Sequence, residues 1–306
     1  MPPVLLLEQS LNGLQLGMTL FLMSAGLTLV FGVMGLINLA HGSLYMIGAF
    51  CCAWISQLSG SFLIGLLAGL LGAAIAGLLI EIAVIRKLYE RDHLDQVLAT
   101  FALILIISEG TSWIFGPSPL YLNIPSWLSG SISLLGQTTY PIYRLVIIIV
   151  GLLVAFGLYF LITKTRLGMR IRAGESDREM VAALGVDIRT IYTLVFALGA
   201  ALAGMAGALV STLYSVEVGM GEPVLILALV VIVIGGIGSV KGALVASVLV
   251  GLVDTLGRVF LPYILSAFFN DDNVATLSAS LASVLVYIMM ALILAIRPQG
   301  LFSIHD

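Results

Sequence analysis

Between Leu11 and Ile80 there is no Asp, Glu, Lys or Arg, and only 9% of the 306 residues are charged. Soluble domains carry about 25% charged residues. So few charges cannot cover a water-facing surface, which excludes a soluble enzyme and leaves no basic face for nucleic acid. Cysteine is almost as scarce. Cys51 and Cys52 are adjacent, too close for an ordinary disulfide and without metal-ligand company, so they read as small packing residues. His41, His93 and His305 are scattered. Paired carboxylates and nucleophile–base spacings are missing too, so no catalytic centre, metal or cofactor is expected. The Gly-x-x-x-x-Gly-Lys-Ser/Thr phosphate loop is also lacking, and the chain is not expected to bind ATP itself. No basic residue precedes Arg86, so a secretory leader is not expected and the N-terminus reads as mature.

What the sequence has is apolar length: 60% hydrophobic residues and 33 glycines, which let membrane helices approach closely. Runs near 20 apolar residues predict spans at about 10–31, 36–57, 62–85, 97–115, 143–163, 190–212, 222–236, 242–262 and 277–296. The first two share an uncharged junction, so the count is eight or nine. Alternation puts eleven of the 13 Lys and Arg residues on one side, leaving Arg144 and Arg258 on the other. By the positive-inside rule the basic side is cytoplasmic. The expectation is an all-α integral membrane protein: a polytopic helical bundle with broken or re-entrant segments, N-terminus outside and C-terminus cytoplasmic. No second, soluble domain is visible, so residues 1–306 read as one transmembrane domain. In the largest outer loop, 116–143, Tyr121, Trp127 and Tyr140 suit an interfacial belt; the loop is a membrane-lying connector or a docking surface.

Two kinds of polar feature interrupt this pattern. "GVMGLINLAHGSLYMIGAF" (32–50) sets Asn38, His41, Gly42 and Ser43 among glycines. Irregular backbone at membrane depth is tolerated only where protein or a cavity satisfies it. The patch reads as a helix discontinuity facing a pathway, or as an interhelical hydrogen-bond cluster. A second break, "GGIGSVKGA" (235–243), faintly echoes it. Among acids inside spans, Asp254 has Arg258 four residues on, spacing that favours an ion pair. Glu81 is near enough to its helix end to reach water. Glu109 has no basic residue three or four positions away, so Glu109 and Asp254 join the pathway candidates.

The longest inner segment, "KTRLGMRIRAGESDREMVAALGVDIRT" (164–190), predicts a two-turn helix over about 177–184, begun by a capping box of Ser176 and Glu179 and stopped by Gly185. Met180, Val181, Ala183 and Leu184 give it an apolar surface. So short a helix needs something to lie against, either this chain or a cytoplasmic partner.

"GLINLAHGSLYMIGAF", "EMVAALGVDIRTIYTLVFALGAALAGMAGAL" (179–209), "GGIGSVKGA" and "RPQGLF" (297–302) occur in this order over nearly the whole chain. Together they resemble the LivH-type permeases of branched-chain amino acid ABC transporters, a family that includes urea and short-amide permeases. The resemblance implies a non-catalytic permease of the bacterial cytoplasmic membrane. Its partners would be a homologous LivM-type subunit, two cytoplasmic ATPases and an external substrate-binding protein. It further implies that Glu175, Ser176, Glu179, Met180, Ala183, Leu184 and Gly185 form the segment that couples to the ATPases.

Overall fold

The computed structural model describes residues 3–89, 91–134, 138–266 and 274–302, and His305 lies outside them. The described residues form α1 (Pro3–Met34), α2 (His41–Ser59), α3 (Phe62–Ala83), α4 (His93–Phe115), β1 (Ser131–Leu134) and β2 (Thr138–Pro141). There follow α5 (Ile142–Lys164), α6 (Arg166–Ser176), α7 (Arg178–Ala183), α8 (Ile188–Val210), α9 (Gly221–Gly235), α10 (Val240–Leu265) and α11 (Val274–Ile296). Helix dominates because backbone polar groups in hydrocarbon must be bonded within their own segment. Helices α1, α3, α4, α5, α8, α10 and α11 are long and apolar enough to cross a membrane. With the shorter α2 and α9 they match the nine expected spans. The uncharged junction is a true break: α1 stops at Met34 and α2 starts at His41 rather than near 36.

Helix α1 is the axis of the bundle. Of its most apolar window 83% is buried, against 22% for α3, α4 and α5 and 11% for α11. Glycine sets how closely its neighbours approach. A Cβ added to Gly17 would lie 2.9 Å from the Ser247 carbonyl oxygen of α10, and one on Gly26 would lie 2.5 Å from that of Gly199 on α8. Lipid is as apolar as leucine, so close backbone contact of this kind holds membrane helices together.

The two ends of the bundle differ in charge. At the basic end Gly32 meets Glu175 and Gly238, and Arg86 reaches Thr193 at the start of α8. The opposite end joins Asn12 to Arg144 and Gln57 to the Tyr121 carbonyl. There the 116–143 loop carries an antiparallel hairpin pairing Ser131 with Pro141 and Leu134 with Thr138. Tyr121 and Trp127 are exposed as an interfacial belt requires, but Tyr140 is 1% exposed, because strand alternation turns it inward.

Two further expectations are corrected. Glu81 does not reach water: it is fully buried, accepting from the Arg86 guanidinium at 3.0 Å, the Tyr89 hydroxyl at 2.6 Å and Thr193 at 2.9 Å. A 3-10 turn at Ile85–Leu88 swings Arg86 back onto it, a pairing that regular i,i+4 spacing does not reveal. On the inner segment Ser176 is not the cap. It ends α6, and Asp177 caps α7 by accepting from the Met180 amide at 2.9 Å. Asp and Ser cap about equally well, and because α6 runs through Ser176 it is Asp177 that takes the extended conformation a cap requires. The Glu179 side chain lies outside the described residues. Gly185, at φ +82°, supplies the left-handed stop as expected.

Candidate functional site

The first break runs from Gly35, at φ +64°, to Ala40. Gly35 is exposed at the basic end, whereas Leu36, Asn38 and Ala40 are buried, so the chain turns back into the bundle without helical bonding. Asn38 Oδ1 accepts from the Ala40 amide at 3.1 Å, bending the chain toward α2. Its Nδ2 has no partner among the described residues. The buried His41 ring lies against the Met23 backbone, and neither ring nitrogen reaches hydrogen-bond geometry with a partner among the described residues. Leaving such a group unpaired costs about 1–3 kcal/mol.

At this point two helices begin. A Cβ on Gly42, in the first turn of α2, would lie 2.8 Å from the Gly221 carbonyl oxygen, and Gly221 is the first residue of α9. From that contact α2 runs toward the Tyr121 end and α9 toward the basic end. Their N-termini, positive ends of two helix dipoles, therefore face each other inside the bundle. Neither N-cap, Ala40 or Met220, makes a side-chain capping bond.

Beside this junction lies a cavity of about 310 Å³. Gln15, Thr19, Tyr45, Ser215 and Glu217 give it polar groups, while Leu16, Leu20, Val210, Val224 and Leu227 give it apolar walls. Sequence reasoning missed it, because its polar lining is drawn from three separated segments and only Tyr45 lies within the quoted motif. Asn38, His41, Gly42 and Ser43 are buried and are not among its lining residues.

The second break is built differently. Helix α9 ends at Gly235; Gly236 and Gly238 take φ of +99° and +83°, and the Ser239 hydroxyl caps α10 by accepting from the Gly242 amide at 3.0 Å. The "RPQGLF" segment docks onto it. Leu301 donates to the Ile234 carbonyl at 2.8 Å and Phe302 to that of Gly235 at 3.1 Å, satisfying groups at the end of α9.

The remaining candidates separate. Asp254 is paired with Arg258 at 2.8 Å, as the spacing suggested, and lines neither this cavity nor the cleft described below. Glu109 is exposed on α4, without a hydrogen-bond or ion-pair partner among the described residues. Glu175 turns inward against Gly32, and burial pushes its carboxyl pKa up. Met180 on α7 and Leu184 at its C-cap, 58% and 76% exposed, are large apolar side chains left uncovered beside the exposed Ala183, whereas Val181 is buried.

A bundle of apolar spanning helices, broken where α2 and the shorter α9 begin beside a cavity, is the architecture of a polytopic membrane transport protein. The family described as "branched-chain amino acid transport system / permease component" matches residues 9–294, and the chain belongs to it. It is 30% identical to the high-affinity branched-chain amino acid transport permease BraD of Pseudomonas aeruginosa, over 97% of this chain and 95% of that protein. It is 27% identical to LivH of Escherichia coli K12, with the same two coverages. LivM of that strain is also 27% identical, over 94% of this chain and 68% of its own length.

Proposed function

We propose that this chain is the permease subunit of a binding-protein-dependent ABC importer for branched-chain or other hydrophobic amino acids, oriented with its basic end in the cytoplasm of a bacterial inner membrane. The observation that carries the reading is the meeting of two uncapped helix N-termini at Gly42 and Gly221 beside the 310 Å³ cavity. Facing N-termini supply amide donors and positive potential to a carboxylate, Glu217 suits an ammonium group, and the leucine and valine walls suit a branched aliphatic side chain. The printed descriptions of BraD and LivH, which name branched-chain amino acids, support the same substrate class.

The chain carries no catalysis in this reading. It pairs with a LivM-like permease, receives substrate from an external binding protein and is driven by two cytoplasmic ATPases. Met180 and Leu184 of α7 enter a groove on an ATPase. Motion there reaches the first break through α6, whose Glu175 rests on Gly32 three residues before Gly35. Urea or a short amide is the competing substrate, and it lacks the carboxylate that the facing N-termini favour.

The test is ATP-driven accumulation of labelled leucine in proteoliposomes holding the assembled transporter and its binding protein, with unlabelled competitors. Isoleucine should compete, whereas leucinamide and urea should not. Accumulation without the ATPases would contradict the importer reading. Urea accumulation without leucine accumulation would favour the competing substrate.

A further inference from the structure

A second and larger space, about 580 Å³, lies at the basic end between α1, α5, α6 and α10. It is not a continuation of the first cavity. Gln15, Leu16, Thr19 and Leu20 face the first, while Phe21, Thr28, Leu29, Gly32 and Val33 face the second. At 100° per residue these sets centre about 150° apart around α1. The axial helix therefore stands between the two spaces, and the cleft lies off the proposed route.

Its walls and rim have the chemistry of a lipid site. The α5 wall includes Leu152 and Phe156, 50% and 70% exposed, so the cleft opens sideways where acyl chains would stand. The rim carries Arg172 and Lys241, neither with an acidic partner among the described residues. Arg172 donates to the Ile162 carbonyl, and Lys241 Nζ lies 6.0 Å from the Tyr159 ring centroid. Both cations thus sit at the last turns of α5, where that helix leaves the apolar layer. Deeper in, Thr28 is fully buried with its hydroxyl unpartnered, a donor left for a ligand oxygen. Glu175 is the acid in the cleft, and its burial against Gly32 favours the neutral carboxyl.

We infer that this cleft binds an anionic phospholipid of the leaflet at the basic end, its phosphate at Arg172 and Lys241 and an acyl chain along the α1–α5 wall. Basic pockets between membrane helices on the cytoplasmic side recognise such headgroups.

Native mass spectrometry of the assembled transporter, purified in mild detergent with equal phosphatidylglycerol and phosphatidylcholine, tests the assignment. Phosphatidylglycerol should be retained about thirtyfold over phosphatidylcholine, the worth of two cations at the membrane surface. The Arg172→Gln/Lys241→Gln double variant should lose that preference, and Lys241→Gln alone should lose about fivefold. Ala155→Phe, which fills the apolar wall and leaves both cations, should also release the lipid. Equal retention of the two lipids by the wild type, as when a partner subunit covers the cleft, would overturn the inference. So would an unchanged preference in either the double variant or Ala155→Phe. Displacement by equimolar glycerol phosphate would assign the site to free phosphates rather than lipid.

Discussion

The two breaks are both glycine-rich interruptions of apolar helix, yet they end in opposite conditions. At the second, Ser239 caps the next helix and the "RPQGLF" backbone satisfies the end of α9, so it is a closed joint. The first break leaves Asn38 Nδ2 and both His41 ring nitrogens buried without a hydrogen-bond partner among the described residues, with a cavity alongside. Buried polar groups are normally satisfied. In the proposed reading, the groups left open at the first break are held for something that passes or moves. On that reading the comparison separates a structural joint from a working one, although glycine content alone makes the two look alike.

The largest expected effect on the fold comes from opening the closed joint. A Cβ on Gly236 would lie 2.0 Å from the Phe302 carbonyl oxygen, at a φ of +99°. Gly236→Val should cost about 4 kcal/mol through strain and overpacking together, read as loss of the monodisperse peak on size-exclusion chromatography. Gly42→Leu comes next. It pushes against the Gly221 backbone and should cost about 1–3 kcal/mol, lowering the thermal midpoint in detergent while leaving recoverable protein.

Substitutions at the open joint should behave differently. His41→Leu removes unpaired polar atoms, so its stability should change by less than about 1 kcal/mol and can rise. Asn38→Leu also removes the Oδ1 bond to the Ala40 amide and should cost about 1–3 kcal/mol. Uptake should nevertheless fall about tenfold or more, the worth of one hydrogen bond made only during transport. Loss of thermal stability in His41→Leu would collapse the contrast between the breaks. The smallest effect on the fold is expected at exposed Leu184: Leu184→Asp should stay within about 0.5 kcal/mol, while pull-down of the ATPases with the permease is lost.

Much of this architecture was legible because membrane helices announce themselves by apolar length, and all nine appear near the expected positions. The Asp254–Arg258 pair was legible as well, since regular helix spacing fixes which side chains meet. Features that depend on irregular backbone were not. Glu81 finds Arg86 only because a 3-10 turn intervenes, and Asp177 rather than Ser176 caps α7 because α6 extends to Ser176. The cavity was hidden for a third reason. Gln15 and Glu217 are 202 positions apart in the chain, and packing of α1 against α9 brings them to one space. In the quoted motif the break was readable, whereas which of its residues line the cavity depended on helix rotation.

ATP-driven leucine uptake by the His41→Leu transporter, normalised to the amount of assembled complex, tests the central claim most directly. Full assembly with uptake reduced about tenfold or more would bear out a working break whose open donors serve transport. Wild-type uptake per assembled complex would contradict it, leaving His41 as a buried packing residue and the first break as structural as the second.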